Sequence, residues 1–104
     1  MEQNYVLQGA CLYVRMPAEL DHETGEEVKR TTDRIMAENH VKRIVFDFGD
    51  TVFMDSSGIG MIMSRYRALG MRKNCVEACK ANERIRKILC LSGMHKIIAM
   101  SETY

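Results

Sequence analysis

Between Arg43 and Phe48, the side chains Ile44, Val45, Phe46 and Phe48 make a near-continuous apolar run that only Asp47 interrupts. Such a run is the pattern of a central strand covered on both faces. Segments with helical spacing flank it: Val28, Thr32, Ile35 and Met36 before it, and Ile59, Ile62, Met63 and Tyr66 after it. A buried strand between two amphipathic helices predicts an α/β fold, a mixed β-sheet with crossover helices and right-handed parallel connections.

The rest of the chain continues this alternation. Asn4 to Arg15 reads as two short strands joined by a turn at Gln8-Gly9-Ala10. Pro17 ends that pattern or sits at a strand edge. Glu19-Leu20-Asp21 leads into the first helix, whose start is open between an Asp21 cap and a Thr24-x-x-Glu27 capping box. That helix is expected to end near Asn39-His40. In the second helix Ser64, Arg65 and Arg67 are expected on the wet side, with Gly70 as its stop. Cys75 to Ala78 reads as a short strand, Asn82 as the cap of a third helix carrying Ile85, Ile88 and Leu89 inward, and Ile97 to Met100 as a last strand.

The central strand leads through Gly49-Asp50 to Phe53-Met54-Asp55-Ser56-Ser57-Gly58-Ile59-Gly60. This is a strand, a short loop and a serine-rich helix start, where free backbone N–H groups suit an anion. Asp55, Ser56 or Ser57 can each cap the helix. One cap is enough, so hydroxyls are left over, and a spare serine at a protruding helix N-terminus suits phosphorylation. Complete catalytic sets are missing. Neither serine has the flanking glycines of a nucleophile elbow, Met63 stands where a third dinucleotide-binding glycine belongs, and no Gly-Lys-Ser/Thr occurs. Asp50 and Asp55 remain as a carboxylate pair, of a kind usually solvated or used in capping.

Composition excludes further classes. A chain of 104 residues makes one domain. Cys11, Cys75, Cys79 and Cys90 form no Cys-x-x-Cys pair and read as small buried hydrophobes. His22, His40 and His95 are scattered, so neither a metal nor a cofactor is expected. With no apolar run near a membrane span and no signal-peptide pattern at Met1, the protein is expected to be cytoplasmic and away from membranes. Residues 1–55 carry a net −5 and residues 56–104 a net +6, which reads as two solvated faces of opposite sign. No nucleic-acid reader motif accompanies the basic half, so a protein partner is expected rather than nucleic acid.

The octapeptide Phe53 to Gly60, followed by Arg65-Tyr66, resembles the signature of the STAS-domain anti-sigma factor antagonists, and is most similar to their sporulation-type members. Glu19-Leu20-Asp21-His22 and Ser92-Gly93-Met94-His95-Lys96-Ile97-Ile98 match the family's segments before its first helix and last strand. The resemblance covers nearly the whole chain. It implies a single STAS domain over residues 1–104 and a partner-switching role in transcription regulation, not an enzyme. The unmodified antagonist binds an ATP-dependent anti-sigma factor serine kinase and frees the sigma factor. The kinase then phosphorylates the first serine of the motif, Ser56 here, and a PP2C-type phosphatase reverses this. Asp21, Asp55, Ser57, Gly58 and Ile59 match the partner-binding surface, and the free protein is expected to be a monomer. Two departures stand out: the sequence stops at Tyr104, where the family continues into a C-terminal helix, so that helix is truncated or absent, and Cys75 to Arg84 fits only loosely. The alternatives are a STAS scaffold or signalling subunit outside a sigma system, and a small serine hydrolase or nucleotide-binding enzyme using Ser56 or Ser57.

Overall fold

The chain opens with a hairpin, β1 (Tyr5–Gln8) and β2 (Cys11–Arg15), whose register pairs Gln8 with Cys11 across a two-residue loop. Gly9 takes φ +61° there, the left-handed conformation that a tight hairpin asks of its first central residue. A computed structural model describes residues 3–102; the end at Tyr104, and with it the expected loss of a further helix, lies outside the described residues. After β2 come β3 (Glu19–Leu20), α1 (His22–Glu38), β4 (Arg43–Asp47), β5 (Phe53–Met54), α2 (Ser56–Ala68), β6 (Val76–Cys79) and α3 (Glu83–Leu91). A 3-10 turn (Met94–Lys96) and β7 (Ala99–Ser101) follow.

The main sheet has the order β1-β2-β4-β6-β7, with β2, β4, β6 and β7 parallel. Each crossover moves one strand further in the same direction. Right-handed crossovers that advance in one direction set their helices on one face of the sheet. Leu12, Val14, Ile44, Phe46, Val76 and Ala78 fill that face and join Val28, Ile35, Ile62, Ile85 and Leu89 of the helices in one core. The expected burial of β4 on both faces holds, since Ile44, Val45 and Phe46 are all fully buried. Its means differ between the faces. Val45 lies outside the helix-covered core and pairs in register with Tyr13 and Glu77. Among the described residues this second face is covered by side chains and not by a helix. Arg43 forms an ion pair with Glu77, and the Ser101 hydroxyl donates to Glu77 at 2.6 Å.

Helix ends follow local chemistry. Asp21 caps α1, and Thr24 closes the capping box as its third helical residue. The side chain of Asn82 accepts from Ile85 N at 2.9 Å to start α3. Gly70 stops α2 at φ +83°. Asp47 ties down the following loop, its carboxylate accepting from Gly49 N at 2.8 Å.

Three expectations need correcting. Arg65 is not on the wet side: it is only 3% exposed, inside the α1–α2 contact, where it pairs with Asp33 and donates to the Thr32 hydroxyl at 3.3 Å. The buried stripe of α2 is Gly58, Met61, Ile62 and Arg65, while Ile59, Met63 and Tyr66 are only partly buried. Helical spacing reads a face to within about one residue, and a buried ion pair carries no apolar signal. The last strand begins at Ala99 and not at Ile97, because Gly93 at φ +81° starts a tight turn in which Ile98 N donates to Met94 O at 3.0 Å.

Asp33→Ala removes the carboxylate partner of a buried guanidinium. The expected cost is about 1–3 kcal/mol, moderated because Asp33 is half exposed. In urea unfolding, adding Arg65→Met to Asp33→Ala should recover much of the loss, giving a clear coupling in the double-mutant cycle.

Candidate functional site

Two strands of two residues each build the site. β3 and β5 pair in parallel, Glu19 with Phe53 and Leu20 with Met54, as a separate small sheet. The residue after each strand is an aspartate, and each aspartate is an N-cap. Asp21 (φ −109°, ψ −166°) and Asp55 (φ −107°, ψ −171°) have nearly the same extended backbone, and Asp55 N donates to Leu20 O at 3.2 Å. The short pairing therefore brings the N-termini of α1 and α2 side by side. Their positive dipole ends face one end of the molecule together.

Which group caps α2 is decided by this geometry. The Asp55 carboxylate accepts from Ser57 N at 2.8 Å, and Gly58 N donates to Asp55 O at 3.1 Å. Ser56 and Ser57 are the first two residues of the helix itself. Their hydroxyls make no hydrogen bond among the described residues. Ser56 is exposed and Ser57 half-buried. The three-way ambiguity over the cap is resolved in favour of the aspartate, and the Ser56 hydroxyl is left open to solvent.

Gly58 holds the first turn of α2 against the small sheet. A Cβ there would lie 2.6 Å from Met54 Cγ and 2.9 Å from Leu20 Cδ2, closer than packed carbons come. Gly58 is buried, so its place in the site is to set the height of the serines. Gly60, two residues on, has open space where a Cβ would stand. A groove of about 240 Å³ runs between the helices, lined by His22, Gly25, Glu26 and Lys29 of α1 and by Ser57, Gly60 and Ser64 of α2. The sequence reading missed both this groove and the β3–β5 pair. A two-residue strand shows no periodicity, and a groove between helices depends on which faces meet.

The electrostatics are those of an acidic helix cap. The Thr24 N–H, donating to Asp21 at 3.0 Å, is the main cause holding the Asp21 carboxyl below its ordinary 3.8, helped by the Thr24 hydroxyl. Of the sequence-predicted partner surface, Asp21, Asp55 and Ser57 are brought together, beside Ser56, the predicted phosphorylation site. Ile59 lies on the same turn but packs partly against the core. Asp50 is exposed and 4.0 Å from Arg15, while the Asp55 carboxylate is engaged as the cap of α2, so the two carboxylates have separate partners. The four cysteines are free, but only Cys75 and Cys79 are the buried hydrophobes expected: Cys11 is half-buried and Cys90 exposed on α3. Cys79 is pushed up to about 11 by burial first and then by Asp47 and Glu77. A thiol held protonated at neutral pH is no nucleophile. Among the described residues no group of three potential ligands gathers for a metal, and no helix is long and apolar enough to cross a membrane.

Comparison with known proteins points one way. Residues 3–104 match the family model described as the STAS domain. The anti-sigma F factor antagonist of Paenibacillus polymyxa is 33% identical over 87 residues, covering 84% of this chain and 74% of that protein. The solved structure of the anti-sigma factor antagonist SpoIIAA in its unphosphorylated form superposes with a TM-score of 0.80 at 24% identity, over 91% of this chain and 83% of that one. SpoIIAA of Bacillus in its phosphorylated form gives a TM-score of 0.71 at 24% identity, over 91% and 86% of the two chains.

Two glycine substitutions separate fold from surface. Gly58→Ala should destabilise by about 1–3 kcal/mol through overpacking against Met54 and Leu20. Gly60→Ala should stabilise by up to about 1 kcal/mol through helix propensity. Thermal unfolding of both variants checks the pair. The Asp21 cap gives a pH signature as well. Its folded-state pKa is depressed, so its stabilisation is complete above the ordinary value of 3.8 and is lost as pH falls through the folded value. The stability gap between wild type and Asp21→Ala should therefore close in acid.

Proposed function

The chain belongs to the STAS domain family, and on that footing we propose that it is an anti-sigma factor antagonist switched by phosphorylation of Ser56. Unmodified, its Ser56 end docks on an ATP-dependent anti-sigma factor kinase, which releases the sigma factor. The kinase transfers the γ-phosphoryl group of ATP to Ser56 Oγ, leaving ADP and a proton, and a PP2C-type phosphatase hydrolyses the phosphoserine back. In this reading the protein is a regulatory binding partner and not an enzyme, acting in the cytoplasm as a monomer between encounters.

The observation that carries the reading is the division of labour at the head of α2. Asp55 takes the capping bond from Ser57 N, and the neighbouring Ser56 hydroxyl stays exposed and unengaged. An acceptor that is not needed to hold the helix can be modified without unravelling it. Phosphorylation adds about −1.5 to −2 charges at neutral pH, beside the Asp55 and Asp21 carboxylates. In a close interface that charge brings desolvation cost and repulsion from any acidic neighbour. A penalty of about 3 kcal/mol weakens binding roughly a hundredfold, which is a switch without refolding. In the free protein the same charge faces two helix N-termini, which favour it. The serine hydrolase reading has no assembled base for Ser56, because Asp55 is committed to its cap.

Incubation with the kinase and Mg-ATP should add one phosphate by intact mass to wild type and to Ser57→Ala, and none to Ser56→Ala. Phosphate on Ser56→Ala would remove the assignment. Ser56→Asp should bind the kinase more weakly, with a melting temperature close to that of wild type. Equal affinity would exclude the electrostatic mechanism.

A further inference from the structure

The parallel sheet sorts charge to its two ends. Connections that enter parallel strands gather at one end of the sheet, and those that leave them gather at the other. The connections entering β4, β6 and β7 are residues 39–42, 69–75 and 92–98. They carry Lys42, Arg72, Lys73 and Lys96 and no carboxylate. At the leaving end stand Glu19, Asp21 and Asp55, and the cations there, Arg15 and Lys80, are paired with Asp50 and Asp47. The molecule is basic at the end opposite Ser56.

Hydrogen bonds gather this basic end into one surface. The Arg72 guanidinium donates to Leu69 O at 3.0 Å and, across to the neighbouring loop, to Lys42 O at 3.2 Å. Arg43 Nε donates to Asn74 O at 3.1 Å. Residues 70 to 74 are all exposed, so the loop projects and lines no cleft. Within it Met71 is 60% exposed at φ +56°, a left-handed conformation that a side-chain-bearing residue disfavours. Two bonds hold it there: Met71 N donates to Tyr66 O at 3.0 Å, and the Tyr66 hydroxyl donates to Met71 O at 3.1 Å. Among the described residues no carboxylate pairs with Lys42, Arg72, Lys73 or Lys96. Helix C-termini at this end account for a cation such as Arg67, in the last turn of α2. That field fades within a turn, and Lys73 and Lys96 each lie five residues past the helix before them.

We infer that this end is a peripheral docking surface for anionic lipid, with Lys42, Arg72 and Lys73 meeting the headgroup phosphates and Met71 entering the layer between them. Basic side chains around an exposed apolar one combine electrostatic attraction with shallow apolar insertion, which is how proteins attach to an interface without spanning it. A projecting loop suits a flat, fluid surface, where a peptide would need a recess. Single-stranded nucleic acid is gripped by stacked aromatic rings, and Tyr66, the aromatic bonded to this loop, is half-buried with its hydroxyl engaged. The acidic end is repelled by the same anionic surface, so the charge distribution also sets the orientation. The attached protein stands with Ser56 facing away from the lipid and open to its partners.

The test is co-sedimentation of the full chain with vesicles of phosphatidylcholine alone and of phosphatidylcholine with an equal part of phosphatidylglycerol. Wild type is expected to partition onto the anionic vesicles only, and to leave them in molar salt. Lys42→Gln and Lys73→Gln should each weaken partitioning about fivefold. Met71→Gly, which suits the left-handed position, should weaken it severalfold with a melting temperature unchanged or raised. Arg15→Gln removes the same charge from the opposite end and should stay within about twofold of wild type. Equal binding to both vesicle types, or to neither, would overturn the inference. Equal losses in Arg15→Gln and Lys73→Gln would reduce the effect to net charge and overturn it too. Lysine-dependent binding of double-stranded RNA at the same salt, with none to anionic vesicles, would assign the surface to nucleic acid and overturn it as well. Every one of these outcomes leaves the Ser56 reading standing, since none of them involves the acceptor end.

Discussion

The pairing of Glu19-Leu20 with Phe53-Met54 is the smallest element of the fold, and the site depends on it most. It lies outside the main sheet and buries two side chains, Leu20 and Met54, under the first turn of α2. Its effect is one of phase. Two parallel strands in register, each followed at once by an aspartate and a helix, bring two helix N-termini to the same level. Gly58 is the complementary constraint, since a Cβ there would collide with the side chains of Leu20 and Met54 and force a shift in their packing under α2.

The main sheet supports this arrangement from below. Because every crossover advances in the same direction, the helices share one face, and α1 and α2 become neighbours. Their contact is closed by Arg65, buried and paired with Asp33. The charge difference between the halves of the chain, expected as two solvated faces, is in part consumed inside the molecule. Arg65 with Asp33 and Lys80 with Asp47 each join a cation of the second half to a carboxylate of the first. The second of these, at 3.8 Å and partly exposed, contributes little to stability. The first fixes how two helices meet. The opposite sheet face is polar in another way, with Glu77 held by Arg43 and Ser101 on a strand whose helix-side residues Val76 and Ala78 are apolar.

At the functional end, acidity and exposure are distributed unevenly. Asp21 and Asp55 are tied to backbone N–H groups, so their positions are fixed by the helices they cap. Ser56 carries no such obligation. A switch built this way separates what must stay rigid from what is to be modified, and it places new charge where two helix dipoles offset it in the free protein. The same charge would be costly where a partner excludes water.

Much of this was legible in the chain. The apolar run of Ile44 to Phe48, the spacing of Val28, Ile35, Ile62, Ile85 and Leu89, and the cap at Asn82 are local signals, and each produced the expected element, while the start of α1, open in the sequence between Asp21 and Thr24, fell to Asp21. The octapeptide from Phe53 to Gly60 marked the site for the same reason, since a strand end, a cap and a glycine lie within eight residues. What the sequence left open was which of Asp55, Ser56 and Ser57 would cap α2. That choice depends on where the helix starts, and the helix starts after Asp55 because hydrogen bonds from β3 hold the preceding residues extended. β3 and β5 are separated in the chain by all of α1 and β4, so no local pattern records their meeting. Composition and periodicity determined that a strand would lead into a serine-bearing helix; long-range pairing alone decided that Asp55 would cap that helix and leave the serine hydroxyls free of the cap.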